Sequence, residues 1–151
     1  MELESLYKEV ILDHCRRPRH AGLREPFDAQ AHRANPYLGD ELTVRVALSY
    51  ADYNPVLADV SYEALGCMTH LASTSIMAEL IIGKTVREAM EIFAAFLTLM
   101  QSRGNTEPDE AILGDAVTFA GLSRYPARIQ CVLLGWLAWQ DATTLALSQL
   151  D

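Results

Sequence analysis

Three side chains from distant parts of the chain have the chemistry to share one soft metal ion or to carry sulfur. Asp40 offers a carboxylate at the end of the loop 35–40, and Cys67 and Cys131 offer thiols. Thiolates and carboxylates bind zinc and iron in proteins, usually in sets of four ligands. The sequence therefore predicts a metal site or a sulfur-transfer site to which these three residues contribute.

Cys67 lies where a predicted strand gives way to a predicted helix. It follows Gly66, and Thr69 is the expected N-cap of the helix. The positive end of a helix and its unpaired N–H groups favour the thiolate, which binds metal or attacks sulfur. The alternative is that Cys67 is a small buried hydrophobic residue, because free cysteine is among the most buried residue types.

Three other side chains are weaker candidates. Cys131 is expected about one turn into the last helix, where either a site or packing among its apolar neighbours would account for it. His70 follows Cys67 by three residues and either contacts the same ion or serves as a cap or surface residue. Cys15, at the end of the first helix, is most simply interpreted as a free thiol without a functional role.

The first half of the chain is predicted to hold one helix and a small sheet. An amphipathic helix covers about residues 3–16 and ends before Pro18, because the residue before a proline is pushed out of helical geometry. The stretch to about residue 35 is predicted as loop with one short edge strand. The predicted hairpin consists of strands at 42–48 and 56–65 with a turn at 51–55.

The second half is predicted to be helical. One helix covers residues 72–82 and stops at Gly83, and the next opens with a capping box formed by Thr85 and Glu88. Residues 105–115 read as a connection with at most one helical turn, and Pro126 suits the first turn of a final helix. We therefore predict a single α+β domain over residues 1–151, with an antiparallel sheet of about three strands packed against several helices.

Composition excludes several classes of partner and compartment. The chain has 151 residues, half of them apolar, and a formal net charge of −8. That charge argues against nucleic-acid and anionic membrane partners. The acidic N-terminal segment is unlike a signal peptide, and three cysteines are poorly suited to a secreted disulfide framework. A reducing cytoplasm is the expected setting.

Several short motifs occur in the order found in the IscU/NifU-type iron–sulfur cluster assembly family. Residues 6–19 resemble its opening helix and basic loop, and the sequence Asn-Pro-Tyr-Leu-Gly-Asp at 35–40 resembles its Asn-Pro-x-Cys-Gly-Asp loop. The segments at 66–77, 113–115 and 125–136 resemble its later motifs. The match covers nearly the whole chain and implies the family's fold.

Two features resemble the SufU branch of that family in particular. The span between Cys67 and Cys131 is long, consistent with an extra segment around residues 100–120. In addition, Gln130 precedes the last cysteine, where the IscU branch places histidine and the SufU branch usually lysine.

The resemblance implies a zinc-dependent sulfurtransferase that works with a SufS-like cysteine desulfurase. Such a protein takes persulfide sulfur from the desulfurase and passes it toward iron–sulfur assembly partners. The implied zinc ligands in this chain are Asp40, Cys67 and Cys131. An iron–sulfur cluster would be held transiently at most.

Leu38 departs from the family pattern, because it stands where the family has its first-loop cysteine. That cysteine is both a zinc ligand and the sulfur acceptor, so we expect weakened zinc binding. His70, or less favourably Cys15, would complete the metal site. Either Cys67 or Cys131 would then accept sulfur.

The alternative is a degenerate, non-catalytic paralogue that binds or regulates the desulfurase. Basic segments at residues 16–19 and 124–128 would be its contacts. The two hypotheses share the family and the partner and differ only in whether sulfur is transferred.

Overall fold

The sheet occupies the first half of the chain and most of the helices follow it. The computed structural model describes residues 2–51 and 54–149. Its elements in chain order are α1 (Glu2–Arg16), β1 (Ala29–Asn35), β2 (Asp40–Ala51), β3 (Asn54–Leu65), α2 (Met68–Ile81), α3 (Val86–Gln101), α4 (Glu110–Leu113), a 3₁₀ segment (Gly114–Arg124) and α5 (Pro126–Ser148). This order confirms the predicted α+β class.

The three strands form an antiparallel sheet in the order β1-β2-β3. Asn35 pairs with Asp40 at one end of β1 and β2, and Glu41 pairs with Leu65 across β2 and β3. Side chains in a strand alternate between the two faces, and the apolar residues of β2 therefore point to one side. The buried members of that series are Leu42, Val44 and Val46.

Helix α5 covers the sheet and forms the centre of the core. It packs on β1 and β2 and against α2. Trp136 and Trp139 are fully buried on α5, and the ring of Phe93 stacks on Trp136 with centroids 5.6 Å apart. The first turns of α5 and α2 are thereby held beside the end of the sheet where β2 begins.

The structure confirms some predicted helix ends and corrects others. The capping box is present, with N–H···O distances of 3.0 Å between Thr85 and Glu88 in both directions, and Pro126 lies in the first turn of α5. Helix α2 begins at Met68, earlier than residue 72, and its N-cap is Cys67 where Thr69 was predicted. Thr69 lies buried in the first turn of α2 instead. The sequence pattern missed this turn because a buried polar residue does not contribute to hydrophobic periodicity.

Two segments contain more regular structure than predicted. β1 is a seven-residue strand, and residues 114–124 form a 3₁₀ segment where no element was predicted beyond residue 115. The predicted turn at 51–55 includes Asp52 and Tyr53, which lie outside the described residues. Among the helices of the described ranges, none combines the length and the apolar character needed to cross a membrane.

Candidate metal centre

Asp40 is positioned by the tight turn between β1 and β2. The N–H groups of Leu38 and Gly39 donate to the carbonyl oxygen of Asn35 at 3.2 and 2.9 Å. Gly39 has a φ of +74°, which glycine adopts without the steric cost that a side chain brings. The Asn35 amide also donates to the side-chain oxygen of Gln130 at 3.0 Å, so this turn is tied to α5. Asp40 itself is buried.

Cys67 is fixed directly against Asp40. Its backbone N–H donates to Asp40 Oδ1 at 2.8 Å, and its Sγ lies 3.6 Å from Asp40 Oδ2. Gly66 makes this approach possible, because a Cβ there would lie 2.9 Å from Asp40 Cα and would collide with the carboxylate. The carboxylate thus accepts the first free N–H of α2 and contacts the thiol at its N-cap.

Cys131 reaches the same place from α5, and side-chain hydrogen bonds hold that helix to α2. Ser73 Oγ donates to the carbonyl oxygen of Val132 at 2.7 Å and accepts from Trp136 Nε1 at 3.2 Å. Cys131 lies on the first turns of α5 and is 5% exposed, whereas Cys67 is half-buried. Of the two thiols, Cys67 is therefore the one that a reagent from solvent reaches.

The three predicted residues converge. The Sγ atoms of Cys67 and Cys131 and a carboxylate oxygen of Asp40 all lie within 4.8 Å of one another. Burial, reinforced by hydrogen bonds to Asp40 and Cys67, raises the pKa of Cys131 to about 12. Without a bound cation, the simultaneous ionisation of Asp40, Cys67 and Cys131 is therefore unfavourable.

The donor set fits zinc as a three-ligand site. Zn–S and Zn–O bonds of usual length, arranged tetrahedrally, separate a sulfur ligand from an oxygen ligand by about 3.5 Å. The 3.6 Å between Cys67 Sγ and Asp40 Oδ2 agrees with that separation. Structural zinc sites usually have four protein ligands, whereas three protein ligands with one exchangeable position are typical of catalytic sites. Asp40, Cys67 and Cys131 match the second arrangement.

His70 is not part of this cluster. It is fully buried, and its Nε2–H donates to the carbonyl oxygen of Glu41 at 3.2 Å. Nδ1 has no hydrogen-bond partner, and burial lowers the pKa of the imidazole, which favours its neutral form. The ring is thus oriented as in many metal-binding histidines, but its nitrogens lie outside the group formed by Asp40, Cys67 and Cys131.

Exposed apolar residues lie next to the cluster residues in the sequence. Leu38 is 37% exposed and lies two residues before Asp40. Leu65 and Met68 are also exposed, and they flank the Gly66–Cys67 step in the sequence. Exposed apolar residues thus adjoin both Asp40 and Cys67 in the chain, and the Cys67 thiol is itself half-buried.

A second group of potential ligands consists of His14, Glu79 and Asp115. The buried His14 contacts Ser75 Oγ through Nδ1 at 2.8 Å and Asp115 Oδ2 through Nε2 at 3.0 Å, and Glu79 lies 3.9 Å away. Ser75 Oγ also accepts the backbone N–H of Arg19, so its own hydrogen is free for His14. Ser75 is fully buried, which makes this series a structural link between α1, α2 and the 3₁₀ segment.

The remaining predicted residues are separate from the cluster. Cys15 is a free, half-buried thiol at the end of α1 and does not join Asp40, Cys67 and Cys131. Within the basic segment that follows, Arg17 and Arg19 form ion pairs with Asp13. Two of the five arginines in the segments predicted to contact a partner are thus paired within the protein.

Comparison with known proteins identifies the family. The model of the NifU-like N-terminal domain matches residues 6–132. The chain belongs to the NifU-like N-terminal domain family. It is 34% identical over 137 residues to the zinc-dependent sulfurtransferase SufU of Bacillus subtilis, covering 90% of this chain and 88% of that protein. It is 32% identical over 141 residues to the iron–sulfur cluster assembly scaffold protein IscU of Streptococcus pyogenes, covering 93% and 84%.

Solved structures agree with the family assignment. A putative iron–sulfur cluster assembly scaffold protein of the SUF system from Fervidobacterium islandicum superposes with a TM-score of 0.76 at 32% identity, covering 92% of this chain and 97% of that one. A NifU-like N-terminal protein from Brucella abortus, at 24% identity, gives a TM-score of 0.80 and covers 98% and 99%, and so supports the fold alone. The predicted family and fold are both confirmed.

Proposed function

We propose that this member of the NifU-like N-terminal domain family is an iron–sulfur cluster assembly protein that accepts sulfur from a cysteine desulfurase. The observation that carries the proposal is the convergence of Asp40, Cys67 and Cys131 within 4.8 Å, in a chain similar to SufU and IscU proteins. Because donor and acceptor proteins of this kind meet in a reducing compartment, we propose the cytoplasm as the setting.

Cys67 is the proposed sulfur acceptor, because it is the more accessible thiol of the pair. Its Sγ attacks the terminal sulfur of the desulfurase persulfide. The S–S bond of the donor breaks as the new S–S bond forms, and the donor cysteine leaves as a thiolate. In the metal-free cluster, the proton of Cys67 passes to Asp40 Oδ2, which lies 3.6 Å from the thiol, and returns to the leaving thiolate. This exchange needs no oxidant or reductant.

Asp40, Cys67 and Cys131 are the residues that would hold zinc. When bound, the ion would stabilise both thiols as thiolates and offset the charge that the cluster otherwise concentrates. Asp40 orients Cys67 through the hydrogen bond from its N–H, and α5 shields Cys131 from solvent. His70 remains a predicted fourth ligand, and its unpartnered Nδ1 is the observation in its favour.

The alternative is a non-catalytic desulfurase-binding protein, and Leu38 is the observation that favours it. An aliphatic side chain in the turn before Asp40 carries no sulfur and binds no metal. Under this hypothesis the fold and the partner surface persist while the cluster transfers nothing.

The experiment that separates the two hypotheses is sulfur mapping. The protein is incubated with the cysteine desulfurase of the same organism and L-cysteine, alkylated, digested and analysed by mass spectrometry. We expect one added sulfur atom on the peptide containing Cys67. The signal should disappear in Cys67→Ser and persist in Cys15→Ser, because Cys15 lies outside the cluster.

Two results would reject sulfur acceptance at Cys67. Sulfur found equally in wild type and Cys67→Ser would place the acceptor elsewhere. No added sulfur, together with stable co-purification of the desulfurase, would establish the non-catalytic alternative.

A further inference from the structure

The cluster of Asp40, Cys67 and Cys131 has one donor fewer than a closed tetrahedral site. In the described part of the chain, no other histidine, cysteine or acidic side chain joins these three within 4.8 Å. Leu38 in the adjoining turn has no donor atom in its side chain. A tetrahedral ion held by the three residues therefore keeps one coordination position for a ligand from outside.

The charge of the centre leaves room for one further anionic ligand at that position. On binding a divalent ion, the two thiols lose their protons and the carboxylate is ionised, so Asp40, Cys67 and Cys131 bring three negative charges. The resulting centre carries one net negative charge. A fourth anionic ligand from the protein, such as a cysteine in place of Leu38, would add a second negative charge and fill the position. The present residues thus leave the centre better able to accept an incoming anion.

The surroundings favour sulfur over a hydrated oxygen ligand. The Cys67 thiol is half-buried and therefore accessible in part, and Leu38 in the adjoining turn is 37% exposed. The exposed Tyr37 adjoins it in the turn, and Leu65 and Met68 flank Gly66 and Cys67. Such apolar groups offer little to a strongly hydrated ion, whereas soft thiolate ligands suit zinc and tolerate an apolar environment.

We propose that the coordination position left open by Leu38 binds an anionic sulfur ligand from outside the chain, a thiolate or persulfide. The proposal rests on the proposed function, because the persulfide of the sulfur donor is the ligand that would be placed there beside Cys67. The binding step is a ligand addition: the incoming thiol releases its proton to solvent and its sulfur bonds to the ion, while no S–S bond breaks.

Cobalt substitution tests this proposal without a desulfurase. The protein is loaded with Co²⁺, desalted, and titrated with 2-mercaptoethanol while the near-ultraviolet thiolate-to-cobalt absorption is recorded per bound cobalt. We expect that absorption to rise by about half, because Cys67 and Cys131 supply two Co–S bonds and the probe adds a third. Metal analysis of the titrated sample checks that the probe has not removed the cobalt.

Two variants of Leu38 provide the matched controls. Leu38→Cys supplies a third protein thiolate, so its absorption should be high before the probe is added and should not rise further. Leu38→Ala leaves the position open and should respond as the wild type does. Both changes lie in an exposed turn, so the core that holds Asp40 and Cys131 is left intact.

Several results would overturn the proposal. Failure of the wild type to bind cobalt would show that Asp40, Cys67 and Cys131 do not form a metal site. If cobalt binds but its absorption does not change when the probe is added, a protein group must occupy the fourth coordination position. A response to the probe that appears only in His70→Ala would identify that group as His70. An equal rise in Leu38→Cys would show that the probe binds elsewhere. If sulfur mapping still found Cys67 modified, the proposed function would stand while this inference failed.

Discussion

At the scale of single residues, the site depends on how closely Asp40 approaches Cys67. The carboxylate accepts the Cys67 N–H at 2.8 Å and lies 3.6 Å from its thiol. Gly66 has a φ of +140° and leaves the space that the carboxylate occupies. Replacing Gly66 would have two effects. The positive φ would strain any other residue, as it would at other glycines of this conformation, whereas the collision with Asp40 would occur only at this site.

Gly66→Ala should therefore weaken metal binding, because its methyl group would displace Asp40. We expect zinc affinity to fall by about 10–100-fold, the usual effect of losing a group that orients a ligand. Competition with a chromogenic chelator measures the change. Gly22→Ala is the matched control, since Gly22 has a φ of +100° and open space around its Cβ position. Equal losses of affinity in both variants would attribute the effect to backbone strain alone.

The sequence indicated the residues of the cluster but not all of their surroundings. Asp40, Cys67 and Cys131 were identifiable from donor chemistry and from their order in the family's motifs, and the structure brings them together. His70 lies outside that group, because proximity in sequence to Cys67 does not determine where a buried imidazole points, and it stays a predicted ligand. His14 illustrates the converse: its partners are 61 and 101 residues away, and no local pattern reveals them.

At the scale of elements, the contact between α2 and α5 sets the distance between the two thiols. Gly135 on α5 faces Thr74 on α2, and a Cβ at Gly135 would lie 2.5 Å from Thr74 Oγ1. Ser73 bridges the same two helices through Val132 and Trp136. Since Cys67 caps α2 and Cys131 lies near the start of α5, separation of these helices would widen the cluster.

Gly135→Ala should destabilise the protein and loosen the site together. Inserting a methyl group into this packed contact should lower the free energy of unfolding by about 1–3 kcal/mol. Urea denaturation followed by circular dichroism gives the change, and chelator competition gives the accompanying loss of zinc affinity. Gly121→Ala serves as the control, because nothing lies within 4 Å of its Cβ position. Unchanged stability in Gly135→Ala would contradict this prediction and show that the Thr74 side chain or the helices accommodate the methyl group without cost.

Elements with regular hydrophobic spacing were predictable, and those held by tertiary contacts were not. Helix α3 follows from its capping box and its apolar stripe, both present in the structure. The first turn of α2 contains the buried polar residues Thr69 and His70, so its pattern gives no helical signal. The 3₁₀ segment is similar, because its buried side chains pack on α3 and α1 without a long repeating pattern of their own.

At the scale of the whole molecule, the cluster joins parts of the chain that are far apart in sequence. Asp40 opens β2, Cys67 caps α2 and Cys131 lies on α5, so a bound ion would link the sheet to two core helices. The unfolded chain cannot present these three donors together without a cost in chain entropy. Metal binding should therefore be coupled to global stability.

Zinc should raise the free energy of unfolding of the whole chain. With free zinc buffered at about 100 times its dissociation constant, the gain should be about 2.7 kcal/mol, because only the folded state binds well. Urea denaturation in zinc buffer and in chelator measures the difference. Asp40→Asn should lose most of the gain, because the amide removes the anionic ligand while its oxygen still accepts the Cys67 N–H.

Cys15→Ser distinguishes a gain at the cluster from zinc binding at any free thiol. Cys15 is half-buried at the end of α1 and lies outside the cluster, so its replacement should leave the zinc-dependent gain unchanged. A gain lost in Cys15→Ser but kept in Asp40→Asn would place the ion at α1. That result would uncouple metal binding from β2, α2 and α5, and it would remove the zinc proposed to stabilise Cys67 as a thiolate.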